Sequence, residues 1–228
     1  VDVRLVLLLG VVACYRDLDA PPPPCFADDF SRYAVGTAPG SDWDPAHVLD
    51  GAGSGTAKVV NGGVELSLTT GSADTAVQLA LMSDYSAALD LSSGAVDARL
   101  VALPAAHVQL DLVAVDNTSG WFIRIGTVFN VLDTVAKGSN GDLLAQGSDD
   151  ILDELTDVQI SFGGGHASTS YVLSDGTTRT GIDNVPIDGD PAHFQLQFDL
   201  GALSGATFPG TFTATVGDVS VACAPGAD

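Results

Sequence analysis

From Phe26 onward the chain alternates apolar and polar residues with the period of two expected of a half-buried β-strand. Val64, Leu66 and Leu68 alternate with Glu65, Ser67 and Thr69, directly after the turn sequence Asn61-Gly62-Gly63. Val77, Leu79 and Leu81 repeat the pattern, and Val96, Ala98 and Leu100 stand against Asp97 and Arg99. Val108, Leu110, Leu112 and Ala114 face away from Gln109, Asp111, Val113 and Val115. Further strands are expected at 121–129, 158–162, 170–173, 194–198 and 212–221, separated by turns rich in Gly, Asp, Asn and Ser. One stretch departs from this pattern. Asp149 to Leu155 reads as a helix of one or two turns: Asp149 or Asp150 can accept amide hydrogen bonds at its start, and Ile151, Leu152 and Leu155 share a face. Neither βα alternation nor an internal repeat is present, which sets aside doubly wound, barrel, propeller and solenoid architectures. The expected fold is therefore all-β, two antiparallel sheets packed as a sandwich, with one short helix.

The segment before the strands reads differently. Arg4 precedes an apolar run from Leu5 to Ala13, which is too short for a permanent membrane span but of signal-peptide length. Val11-Val12-Ala13-Cys14 resembles the lipobox of bacterial lipoproteins, and the resemblance implies cleavage before Cys14 and lipidation of its thiol. Pro21 to Pro24 favour an extended spacer. The expected organisation is a signal peptide over 1–13, a lipidated cysteine and tether over 14–24, and one sandwich domain over 25–228. The expected location is the bacterial cell envelope, at the outer membrane. With Cys14 lipidated, Cys25 and Cys223 remain as an even pair at the two ends of the domain, and a disulfide between them is expected in an oxidising compartment.

The formal charge of −21 gives the surface one sign and disfavours nucleic acid as a partner. The same field attracts cations, and calcium, which takes six to eight oxygen ligands, is the candidate cofactor. Asp183-Asn184 and Asp188-Gly189-Asp190 crowd oxygen donors into one loop, so Asp183, Asn184, Asp188 and Asp190 are the candidate metal ligands. The four histidines are dispersed, without zinc-ligand spacing, and the serines near glycine lack a nucleophile-elbow context.

Phe26-Ala27-Asp28-Asp29-Phe30 with Trp43 downstream, and Pro191-Ala192-His193-Phe194-Gln195-Leu196 near the other end, resemble segments of the concanavalin A-like lectin and glucanase superfamily. The resemblance implies a jelly-roll sandwich over residues 26–223, and in its glycan-hydrolysing members two glutamates on one strand that both point into a cleft. This chain has only Glu65 and Glu154, in unrelated segments. Aspartates can replace glutamates chemically. Asp97 and Asp111 can occupy neighbouring strands, but nothing in the spacing fixes their register.

Trp43, Trp121 and Tyr171 are candidate sugar-stacking residues, because an apolar sugar face packs on an exposed ring. Trp121, Ile123 and Ile125 share one face of their strand while Phe122 and Arg124 share the other. The core is the favoured place for Trp121, and Arg124 then points outward as a candidate ligand contact. The expected function is a non-catalytic, envelope-anchored module, not an enzyme, that binds a polysaccharide or other surface macromolecule. The alternatives are a structural or adhesion lipoprotein and a glycoside hydrolase.

Overall fold

The computed structural model describes residues 25–50, 53–71, 77–84, 92–104, 108–116, 118–128, 131–150, 155–188, 194–202 and 209–223. The expected signal peptide, Cys14 and the proline-rich tether lie outside them. Among the described residues no helix is long and apolar enough to cross a membrane.

The described strands form two antiparallel sheets. The first has the order β13 (Thr178–Thr180), β12 (His166–Leu173), β11 (Leu155–Gly163), β6 (Gly94–Ala102), β16 (Gly210–Cys223), β4 (Gly63–Thr70) and β3 (Gly53–Val60). In the same sheet β1 (Phe26–Asp28) pairs with β16 and β14 (Val185–Pro186) pairs with β12. The second sheet has the order β10 (Leu143–Asp149), β9 (Val131–Lys137), β8 (Phe122–Val128), β7 (Val108–Asp116), β15 (Phe194–Ala202), β5 (Val77–Met82) and β2 (His47–Asp50). This is a two-sheet antiparallel jelly-roll sandwich.

The alternation seen in the sequence sorts the side chains. Val64, Leu66 and Leu68 of β4 and Val158 and Ile160 of β11 face the core from the first sheet, and all are buried. Leu110, Leu112 and Ala114 of β7, Ile123 and Ile125 of β8, and Leu196, Phe198 and Leu200 of β15 face it from the second. Burying a side chain of this size contributes roughly 1.5–3 kcal/mol, so this interior carries the fold. Asp28 organises the entry of the chain. Its Oδ2 accepts from the Trp43 indole at 2.8 Å and from Arg32 at 2.9 Å, while Oδ1 caps the Phe30 amide at 2.8 Å.

The short helix expected over Asp149–Leu155 requires correction. Asp149 closes β10 in register with Leu132, and Leu155 opens β11 opposite Leu173. Residues 151–154 lie outside the described ones, and no helix occurs among those described. The physical reason is the partner Asp149 finds. Its Oδ2 accepts from the Tyr171 hydroxyl at 2.7 Å and from the Arg179 guanidinium at 2.9 Å, so the carboxylate is held by strands of the other sheet. Tyr171 and Arg179 belong to the other sheet, so this carboxylate ties the two sheets together at their margin.

Candidate active site

Residues of β7, β15 and β8 that do not enter the core point to the outer face of the seven-stranded sheet. On β7 these are Gln109, Asp111, Val113 and Val115; on β15 they are Gln195, Gln197 and Asp199; on β8 they are Phe122, Arg124 and Gly126. Strand order then brings distant residues together. Asp199 lies opposite Asp111, Asp111 opposite Gly126, and Gly126 opposite Asp133 of β9, giving one row across four strands.

The row lies at a cleft of about 320 Å³, at the small end of the ~300–1,000 Å³ range of ligand sites. Val113, Val115 and Phe122 make one part of its lining apolar, and Gln78, Gln109 and Gln197 supply amides elsewhere. Although Asp111 and Asp199 face outward, they are only 1% and 4% exposed. Gly126 provides the space. A Cβ there would overlap both Asp111 Oδ1 and the Leu110 carbonyl oxygen, so the carboxyl sits where any other residue would place a side chain.

Arg124 divides its guanidinium between two carboxylates. Nη1 donates to Asp111 Oδ2 at 2.8 Å and Nη2 to Asp133 Oδ2 at 2.6 Å. Gln109 also donates to Asp111 Oδ2, and Gln146 of β10 donates to Asp133 Oδ1 at 3.3 Å. Asp111 Oδ1 is buried and has no hydrogen-bond partner among the described residues. Gln197 donates to Asp199 Oδ1 at 2.5 Å.

Burial pushes the Asp111 carboxyl up to about 7; the Arg124 cation opposes this, and the charges of Asp199 and Asp133 add to it. Burial likewise pushes Asp199 up to about 6, against hydrogen bonds from Gln197 and Gln78 and the charges of Arg124 and His47. Two facing acids that burial raises together hold a proton between them near neutrality. One can donate while the other stays ionised.

This arrangement has a consequence for stability. The folded state binds protons that the unfolded state has already released above pH 4, so stability declines as pH rises from about 4 through 7. The melting temperature at pH 5 is expected to exceed that at pH 8 by on the order of 5 °C. Asp111→Asn is expected to remove most of the difference. Calorimetric scans across that range check this, and a variant with an unchanged pH slope would contradict it.

The other candidate residues fall elsewhere. Trp43 is buried between Phe30 and Phe198, with ring centroids 5.6 and 5.8 Å away. Trp121 is fully buried against Phe194, its indole donating to the Pro186 carbonyl at 3.3 Å. Tyr171 is buried, and only its hydroxyl reaches the sheet margin, at Asp149. Of the four candidate ligand contacts, Arg124 is the one that lines the cleft.

In the candidate metal loop, Asp183 Oδ1 accepts from the Ser168 hydroxyl at 2.9 Å, and the Asn184 amide donates to that hydroxyl at 2.9 Å. The Asp188 carboxylate accepts from the Ser139 amide at 3.1 Å and its hydroxyl at 3.0 Å. Asp190 lies outside the described residues, among which no three His, Cys, Asp or Glu side chains converge as a metal set. The Cys25 amide donates to the Val221 carbonyl at 2.9 Å, beside the end of β16. Cys25 is disulfide-bonded, and its partner sulfur lies outside the described side chains, which do not include that of Cys223.

Asp97, weighed as a neighbour of Asp111, belongs to β6 of the other sheet, where it accepts from Gln159 at 2.6 Å. Glu65 is on β4 of that same sheet, and Glu154 lies outside the described residues. The two glutamates on one strand implied by the resemblance are thus not found on β7, whose outward positions are Gln, Asp, Val and Val. The second carboxylate comes instead from β15. Sequence reasoning missed Asp199 and Asp133. The available signal was Gln195-x-Gln197-x-Asp199, three polar residues at period two inside an otherwise apolar strand.

No known family's sequence profile and no curated protein sequence matches this chain. Solved structures do. The β-glucanase of Bacillus licheniformis aligns with a TM-score of 0.59 at 13% identity, over 87% of this chain and 98% of that one. LamAcat of Zobellia galactanivorans aligns at 0.63 and 11% identity, over 88% and 97%. The Crh5 transglycosylase aligns at 0.54 and 14% identity, over 90% and 89%. These neighbours are catalysts. The expectation of a non-catalytic binding or adhesion module therefore finds no support among the neighbours, although at 10–15% identity the likeness itself shows the fold. In fold, this chain is a jelly-roll sandwich similar to that of these glucanases.

Proposed function

We propose that the chain is a glycoside hydrolase that cleaves a β-linked, glucan-type polysaccharide at the outer face of its seven-stranded sheet. The observation that carries this reading is the pair Asp111 and Asp199, in register on adjacent strands, buried at the cleft, and both raised toward neutrality. Directly opposed residues of an antiparallel pair have Cβ atoms about 4.5–5.5 Å apart. Carboxyls about 5–5.5 Å apart suit a retaining mechanism, whereas inverting enzymes need ~6.5–9.5 Å for a water.

Asp111 donates its proton to the glycosidic oxygen as the bond to the anomeric carbon breaks. Asp199, ionised, bonds to that carbon. Water then displaces Asp199 and returns a proton to Asp111, so the product keeps its anomeric configuration. The amides of Gln78, Gln109 and Gln197 suit sugar hydroxyls, and Val113, Val115 and Phe122 suit the C–H face of a ring. The glucanases and transglycosylase of like fold support the choice of polysaccharide.

A reducing-end assay on β-1,3- and mixed-linkage glucans tests this. Release is expected from at least one of them, with Asp111→Asn and Asp199→Asn each slowing it about 10²-fold or more. Glu65→Gln, on the other sheet, is expected to leave the rate unchanged. Absence of release by the unaltered protein, or full activity in both aspartate variants, would overturn the reading.

A further inference from the structure

Asp133 stands one strand beyond Gly126 and has no part in the bond-breaking step, yet it is 8% exposed and bound on both oxygens. A guanidinium beside a lone carboxylate closes on it with two parallel hydrogen bonds. Arg124 does not do so here. Its Nη2 is taken by Asp133 at 2.6 Å, leaving Nη1 for Asp111 at 2.8 Å, and only on Oδ2. Gln146 steadies Asp133 from the next strand. Gly126, in register between the two acids, puts no side chain between them.

We propose that Asp133 is a positioning residue: by holding one arm of Arg124 it confines the guanidinium to one oxygen of Asp111 and leaves the buried Oδ1 without a cation, so that the carboxyl keeps its proton. This rests on the reading of Asp111 as proton donor given above. The charged groups around Asp111 are Asp199 from β15, Arg124 from β8 and Asp133 from β9. Farther out stand His47 on β2, beyond Asp199, and Lys137 on β9, 5.8 Å from the Phe122 ring centroid. In Asp133→Asn the freed arm of Arg124 turns to Asp111 and a neighbouring negative charge is lost. Both changes favour the ionised form of Asp111.

The test combines two readouts on Asp133→Asn and Asp133→Glu. The alkaline limb of the kcat/KM profile reports the acid of the free enzyme and is expected to fall by about 1 pH unit or more in Asp133→Asn. The carboxyl carbon of Asp111, followed by NMR without substrate, is expected to titrate lower by the same amount. Asp133→Glu, which can still hold the arm, is expected to restore both. A purely structural role would lower stability and rate at every pH and move neither midpoint, and that result would overturn the proposal. The NMR midpoint is independent of turnover. If Asp111→Asn proves fully active, the proton-donor reading falls, and the midpoint alone decides whether Asp133 governs Arg124.

Discussion

Replacement of Arg124 by methionine is expected to destabilise the protein by about 3–5 kcal/mol at pH 8 and by much less at pH 5. The side chain of Arg124 is 19% exposed and bridges Asp111 and Asp133, whose side chains are 1% and 11% exposed. Methionine fills similar space but leaves two buried acids with no cation between them. At pH 8 both must remain charged or take up protons against the solution; at pH 5 Asp111 is already protonated, because burial raises it. The sign follows from linkage: a raised acid stabilises the folded state only below its folded midpoint, so the difference between variant and parent grows as pH rises through 7. Denaturant melts at the two pH values measure it. Adding Asp111→Asn to Arg124→Met is expected to recover part of the loss at pH 8, since one of the stranded charges is gone. An equal loss at both pH values would show that Arg124 acts through packing alone.

Gly126→Ala is expected to be the most damaging single-methyl change near the cleft. Adding methyl groups to a packed site usually costs about 1–3 kcal/mol, relieved by small movements of neighbours. Here two of the three obstructing atoms, the Leu110 carbonyl oxygen and the Asp111 Cα, are β7 backbone, which cannot retreat without breaking the pairing that holds Asp111 in place. Stability should therefore fall by about 3 kcal/mol or more, and glucan cleavage should be lost with it, because the Asp111 carboxyl loses its seat. Gly163→Ala at the end of β11 is the control. A Cβ there meets nothing within 4 Å, so the change should stay within about 1 kcal/mol of the parent. Thermal melts of the two variants side by side decide the matter; equal behaviour would mean that Gly126 is not the space Asp111 depends on.

The contrast between what could and could not be read from the sequence follows from the range of each signal. Period-two alternation is local. It placed Val64, Leu66 and Leu68 on one face, and it separated Ile123 and Ile125 from Phe122 and Arg124, before any partner strand was known. Register is not local. Asp111 was visible as an outward residue, but its partner depends on β15 lying between β7 and β5, a placement that no run of residues around 111 encodes. Asp97 looked eligible because β6 precedes β7 in sequence, yet the chain crosses to the other sheet between them. The misread helix has a related cause. Asp149 followed by Ile151 and Leu152 meets the local rules for a helix start, and Tyr171 and Arg179, which claim its carboxylate, come from strands more than twenty residues away. The aromatic rings were the residues most prone to misplacement. Trp43 and Tyr171 each carry a polar atom that can be served at the margin of a core, so neither needs an open surface.

The position of β15 also bears on how the protein comes to be made. The reacting pair joins residue 111 to residue 199, and β7 and β5 are separated in the sheet until the segment 194–202 inserts between them. Until that insertion the strands that will flank β15 present unpaired amides and carbonyls, and pairings this distant in sequence form slowly. Folding therefore waits on the insertion of β15, and whatever shields those two edges in the interval bears on the yield of folded protein.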